Sequence, residues 1–175
     1  MALLSLYHLA GRWRLHLFGA LVVSAVAIAA DAGAEVTVVD PSPARRAFAE
    51  RFGGTAATTA SEPADIVIEA SGHAVVDAIA AADVGGTVVL VGSVFPADPV
   101  PVDAEDAVRR LLTITGVHNY TGRDLAAAAG FLAGTGRAYP FAEAVGEVFP
   151  LADVDAAITA ASAPGAPLRV AINPR

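Results

Sequence analysis

Residues 25–40, AVAIAADAGAEVTVVD, constrain this chain more than any other stretch. Residues 25–31 read as a helix of small side chains, and Gly33 supplies the left-handed residue that commonly ends a helix. Glu35–Val39 then reads as a β-branched strand that stops on a carboxylate, Asp40. A helix built of alanines can lie close against a sheet, so the stretch predicts a strand with a helix packed tightly on it.

The rest of the chain falls into place around that stretch. Upstream, residues 15–18 can form a first strand, with Gly19 in the turn after it. Downstream, Ser42 and Pro43 start a helix, as a hydroxyl cap and a proline at the first helical position do, and the helix runs over 44–52 to Gly53 and Gly54. A short strand is expected at 55–58. Residues 65–69, DIVIE, are a short apolar run of the kind found in buried parallel strands. Ala70, Ser71 and Gly72 form a tight turn, His73 starts a helix over 74–82, and Gly85 and Gly86 turn the chain into the strand 87–91. Beyond the proline-containing residues 95–102, Asp103 caps a helix over 104–112, a strand follows at 113–117, and Asp124 caps a helix over 125–133. The chain closes with a strand at 147–149, a helix at 151–161, a break at Pro164, Gly165 and Pro167, and a strand at 168–172. Apolar strands that alternate with helices predict an α/β fold around a parallel sheet.

Composition narrows the chemistry. The chain of 175 residues has a net charge of −7, which disfavours nucleic acid and anionic membranes as partners. It has no cysteine, which removes disulfides, thiolate metal ligands and cysteine nucleophiles. The histidines, His8, His16, His73 and His118, have no metal-ligand spacing, so no zinc is expected to be held by this chain. Arg12, Arg14 and the apolar run 15–30 imitate a secretory signal. The run is too short to span a bilayer. Cleavage there would remove a helix the next strand needs, so a cytoplasmic location is expected.

Ligands on open parallel sheets sit outside the carboxyl ends of the strands. Those ends are Gly19, Asp40, residues 70–72, residues 91–93 and residues 117–119. Asp40 ends the second strand, where a carboxylate can accept two hydrogen bonds from a ribose diol and repel a 2′-phosphate. The alternative is a solvated turn aspartate that caps Ser42. Arg45 either lies along an adenosine or is one more exposed helix arginine. Counting back from Asp40, the phosphate-binding pattern G-x-G-x-x-G falls on Leu17, Gly19 and Val22. Two of the three glycines are therefore replaced, and weakened pyrophosphate binding is expected. Glu69 reads as a strand-end charge that faces solvent or an arginine. His118, Asn119 and Tyr120 are the one polar and aromatic cluster at a strand end, or else a junction at a domain border.

The segments AVAIAADAGAEVTVVDPSPARR, ADIVIEASG, GGTVVLVGS, LLTITGVHNY, EVFPLADVDAAI and LRVAI, in this order, resemble the C-terminal part of zinc-type medium-chain dehydrogenases, the alcohol dehydrogenase family. ITGVHNY followed by DLAAAAGFLA resembles a bacterial subgroup that acts on alcohols in phosphonate breakdown. The resemblance implies a Rossmann-type doubly wound sheet with helices on both faces over residues 15–118. Residues 119–175 would be a short α+β return to the catalytic domain, and residues 1–24 an atypical start. It implies NAD as cofactor, with Gly19, Asp40, Arg45, Ala70, Ser71, Val91, Ser93, Val117 and Asn119 along the cofactor track. It also implies hydride transfer between NAD and an alcohol or aldehyde, and a homodimer paired through strand 113–117. The family's zinc-bearing N-terminal domain has no counterpart in this sequence, so a separate catalytic domain is an expected partner and the chain alone is expected to be inactive. Two other readings stay open: a non-catalytic nucleotide-binding or dimerising module, and a remnant left by a frameshift or a misplaced start.

Overall fold

The computed structural model describes residues 13–19, 23–163 and 165–174. Residues 1–12, including His8, and also Val22 and Pro164 lie outside the described residues. Two compact units are present, one ending at Gly136 and the other starting at Arg137.

The first unit is built on six parallel strands: β1 (Arg14–Phe18), β2 (Glu35–Val39), β3 (Thr55–Ala57), β4 (Ala64–Glu69), β5 (Ala82–Leu90) and β6 (Thr113–Gly116). Their spatial order is β3-β2-β1-β4-β5-β6. Chain order reverses between β1 and β4, which makes that pair the topological switch point of a doubly wound, Rossmann-type sheet. In register, Phe18 lies beside Val39 on one side and Glu69 on the other.

The helices of this unit are α1 (Val23–Asp31), α2 (Pro43–Glu50), α3 (Val75–Ala80), α4 (Ala104–Arg109) and α5 (Gly122–Ala133). Helices cover both faces. Val26 of α1 and Val38 of β2 both stand within about 3 Å of where a Cβ on Gly54 would be, on one face of the sheet. Phe18, Val39, Val67 and Val88 alternate to the other face and pack with Val75, Ala78 and Ile79 of α3. Ala25, Ala27 and Ala29 of α1 are at most 1% exposed, so the alanine helix does lie tightly on the sheet.

Local signals set most boundaries. The Ser42 hydroxyl accepts from the Arg45 amide, and Pro43 opens α2. Asp103 accepts from the Glu105 and Asp106 amides at the start of α4. Four expectations are corrected. α5 is capped by Thr121, and Asp124 is its reciprocal partner three residues on, a capping box that starts the helix earlier. α4 stops at Arg109 because Leu111 adopts φ 53 and the Leu112 amide returns to the Ala107 carbonyl. His73 does not start α3, which has Ala74 as its N-cap and ends before β5 begins at Ala82. Finally, residues 83–86 are not a turn before the strand but a bulge within it. Between Ala64–Ala82 and Ile66–Thr87, β4 advances two residues and β5 five. Gly85 takes φ 78 there, and a Cβ on Gly86 would press on the Asp83 carbonyl.

The second unit is a two-stranded parallel sheet, β7 (Val145–Pro150) and β8 (Arg169–Asn173), connected through α6 (Val154–Ser162). Ala157 of α6 is buried. No helix among the described residues is long and apolar enough to cross a membrane.

Candidate functional site

The site is built where β1, β2 and β4 end. Gly19 is the first residue past β1, takes φ 99, and donates its amide to the Val39 carbonyl at 3.0 Å. Leu17, by contrast, is an inner residue of β1, 0% exposed, between Val38 and Ile68. The tight turn therefore belongs to Gly19, not Leu17, two residues nearer Asp40 than the pattern's usual spacing. The expected loss of the first glycine does not apply, and Val22 lies outside the described residues. Counted from Gly19, the second glycine position falls on Leu21, outside the described residues, and the third on Ser24, exposed on α1, so two of the three glycines are still replaced. The close helix–strand packing such a glycine permits is carried instead by the alanines of α1.

Asp40 is 2% exposed at the tip of β2. It is not a solvated turn residue, although its Oδ1 does accept from the Ser42 amide at 2.8 Å, which folds the chain sharply into α2. Arg45 stands with Nη1 3.9 Å from the Asp40 Oδ2. Arg46, not singled out in the sequence, donates through Nη1 to the carbonyls of Asp40 at 2.6 Å and Pro41 at 3.0 Å, so it holds the backbone that presents the acid. The adjacent arginines at the start of α2 were the available signal.

Glu69 does not face solvent or an arginine. It is 0% exposed, and its carboxylate accepts from the amides of Ser71 and Gly72 at 2.9 Å, from the Ala74 amide at 3.4 Å and from the Ser71 hydroxyl. That hydroxyl accepts in turn from the His73 amide at 3.1 Å. Three turns meet here. A Cβ on Gly19 would lie 3.2 Å from the Ser71 nitrogen, and one on Gly72 would lie 2.7 Å from the Gly92 carbonyl oxygen.

A cleft of about 860 Å³ opens over these turns. Gly19, Asp40, Arg45 and Ser71 line it, with Phe18 and Val39 as apolar floor and His73 and Asp77 on the α3 side. Its outer wall is the segment 58–63, which carries the chain from β3 to β4 with no helix. Ala70 lies beside it, its carbonyl carbon 3.4 Å from a Cβ on Gly19. Val91, Ser93, Val117 and Asn119 are not in this cleft. They follow β5 and β6, where the Val91 amide binds the Glu69 carbonyl, the Val117 amide binds the Leu90 carbonyl, and Asn119 is exposed with φ 59. His118 and Tyr120 are exposed beside it. Among the described residues, no group of three or more His, Cys, Asp or Glu side chains could hold a metal ion.

Among solved structures, an alcohol dehydrogenase from Thermotoga maritima superposes with a TM-score of 0.86 at 21% identity, covering 99% of this chain and 53% of that one. An alcohol dehydrogenase zinc-binding domain protein from Burkholderia ambifaria gives 0.82 at 24%, covering 98% and 51%. The 2R,3R-butanediol dehydrogenase from Bacillus subtilis gives 0.79 at 20%, covering 98% and 55%. These likenesses establish the fold, and the chain spans about half the length of the structures it matches. No curated protein sequence matches it. Nothing in the comparisons supports the narrower resemblance to the phosphonate-breakdown subgroup. A family model described as zinc-binding dehydrogenase matches residues 20–134, about two thirds of the sequence, and on that match the chain belongs to the zinc-binding dehydrogenase family.

Proposed function

We propose that the chain is the NAD-binding part of an alcohol-dehydrogenase-type oxidoreductase. The observation that carries this reading is the buried Asp40 carboxylate beside the Gly19 turn, at the tip of β2 and next to the switch point between β1 and β4. The residues present fit a dinucleotide. Asp40 offers a fixed acceptor to a ribose diol, Gly19 makes the tight turn after β1 beside which a pyrophosphate would sit, and the cleft has room for a nucleoside. When bound, the nicotinamide supplies the hydride chemistry. The chain's own residues bind and orient: Asp40 and Arg45 hold the adenosine end, and the tips of β4 and β5, with Ala70, Ser71, Val91 and Ser93, form the wall toward the reacting ring. Val117 and Asn119, beyond β6, complete that track.

In this reading another segment or polypeptide supplies the zinc. Turnover by this chain alone is not expected. The setting is the cytoplasm. A second reading, a nucleotide-binding module that pairs with its own copy, draws on β6, an edge strand whose four residues are all exposed.

Calorimetric titration of NAD⁺ and NADP⁺ tests the proposal, with Asp40→Asn as the variant because it keeps an acceptor for the Ser42 amide. Hydrogen bonds to a charged acceptor contribute about 1.5–3 kcal/mol, so the variant should bind NAD⁺ roughly 10- to 100-fold more weakly. Wild type should prefer NAD⁺ to NADP⁺. Folded wild-type protein that binds no NAD⁺ at millimolar concentration would refute the reading.

A further inference from the structure

We propose that Glu69 is a positioning residue for the nucleotide cleft: its buried carboxylate fixes the Ser71–Gly72 turn, and that turn in turn fixes Gly19. The inference rests on the NAD reading above.

A charged group with no exposed surface is retained only where donors satisfy it. Among the described residues, the donors on Glu69 are the amides of Ser71, Gly72 and Ala74 and the Ser71 hydroxyl, with no arginine among them. Both carboxylate oxygens are used, since the Gly72 amide lies 2.9 Å from Oε1 and 3.0 Å from Oε2. α3 gets no cap from its own N-cap, Ala74, and Glu69 reaches in from the end of β4 instead.

The consequence for the cleft is geometric. The Ser71 hydroxyl donates its hydrogen bond to Glu69 and accepts from the His73 amide, so it has no donor left for a ligand. Ser71 acts as a wall. Behind that wall Gly72 has no room for a Cβ against the Gly92 carbonyl, which stands 2.7 Å from where one would be, and a Cβ on Gly19 would stand 3.2 Å from the Ser71 nitrogen, so Gly19 packs closely on the Ser71 turn. The Ser71 turn is the surface on which the Gly19 turn packs, so loosening it loosens the floor of the cleft where a pyrophosphate would sit.

Glu69→Gln keeps the size and one acceptor but turns an amide group toward the Gly72 N–H. Three readouts separate positioning from plain stability: NAD⁺ affinity by calorimetry well below the melting range, the melting temperature, and exchange of the Ser71, Gly72 and Ala74 amides without ligand. Asp103→Ala, which uncaps α4 away from the cleft, controls for lost stability. Glu69→Gln should weaken NAD⁺ binding about 10-fold or more and speed exchange at those amides, whereas Asp103→Ala should leave affinity unchanged. Should Glu69→Gln fail to fold, Ser71→Ala removes one of the bonds and should weaken binding about threefold; unchanged affinity there overturns the inference. A folded Glu69→Gln protein that binds NAD⁺ as wild type does would overturn it too while leaving the NAD reading intact. Folded wild type that does not bind NAD⁺ would sink both.

Discussion

Replacing Gly92 by alanine probes the stacking of strand tips on which the cleft depends. Gly92 is not in a left-handed conformation, so the backbone itself accepts alanine. The obstacle is space: the new Cβ would sit 2.5 Å from the Ala70 carbonyl carbon and 2.6 Å from the Ser71 nitrogen, and closer still to the Gly72 nitrogen. All three are backbone atoms, so no rotamer change relieves the contact. Ordinary contact begins at 3.4 Å, so the backbone at the tips of β4 and β5 must part by more than about 0.9 Å. The amides of Val91 and Gly92 now reach the Glu69 carbonyl at 2.8 and 2.9 Å, and that movement takes both beyond hydrogen-bond range.

Two lost hydrogen bonds at about 1 kcal/mol each, with overpacking of about 1–3 kcal/mol and a gain of about 0.4–1 kcal/mol from a stiffer unfolded chain, leave a net loss of about 3 kcal/mol. With an unfolding entropy of about 2.1 cal/mol/K per residue, a unit that ends at Gly136 should melt about 10 °C lower. Scanning calorimetry or circular dichroism reads this directly. Gly33→Ala is the matched control: φ is 85 and no atom stands within 4 Å, so only left-handed strain of about 1–2 kcal/mol acts, roughly 3–7 °C. A Gly92→Ala protein that melts within about 2 °C of wild type, or above Gly33→Ala, would refute the packing argument.

His16 gives a pH dependence of known sign. It is 3% exposed in the central strand, its Nδ1 has no hydrogen-bond partner among the described residues, and burial, helped by the charge of Arg14, lowers its pKa from the usual 6.5. The unfolded chain therefore takes up the proton first, so stability is full above the unfolded value of 6.5 and falls as pH drops through the window below it. Urea unfolding at pH 7.5 and pH 5 should show that loss and His16→Val should reduce it; equal slopes for both proteins would refute the assignment. If β6 pairs with a second copy, sedimentation should find a dimer that Ile114→Lys dissociates, because a lysine on an exposed edge strand blocks pairing. A wild-type monomer at tens of micromolar would exclude that mode.

Signals carried by a few adjacent residues were legible without the fold. The β-branched run Glu35–Val39, the cap and proline at Ser42 and Pro43, the helix stop at Gly33 and the apolar β4 each form what their sequence predicts, because propensity, capping and periodicity act within one or two turns of chain. Where the signal was also local but ambiguous, boundaries moved: Asp124 looks like a cap, yet Thr121 lies three residues before it and makes the reciprocal pair. Glu69 departs from what its sequence predicts for a different reason. Its sequence neighbours supply its donors, but its burial comes from β1 and β5, which hydrogen-bond to either side of β4 and leave no path to solvent.

The same division holds for the site. The alternation of strands and helices and the acid at the tip of β2 can be read from the residues alone. The sequence alone could not determine that Gly19 rather than Leu17 makes the turn, since that depends on where β1 ends and on the register of Phe18 against Val39. Nor could it determine that Gly19, Asp40, Arg45 and Ser71 line one cleft while Val91, Ser93, Val117 and Asn119 are not among its lining residues. Those facts follow from which strand hydrogen-bonds to which, and strands tens of residues apart choose partners through the packing of the whole sheet, which only the tertiary structure contains.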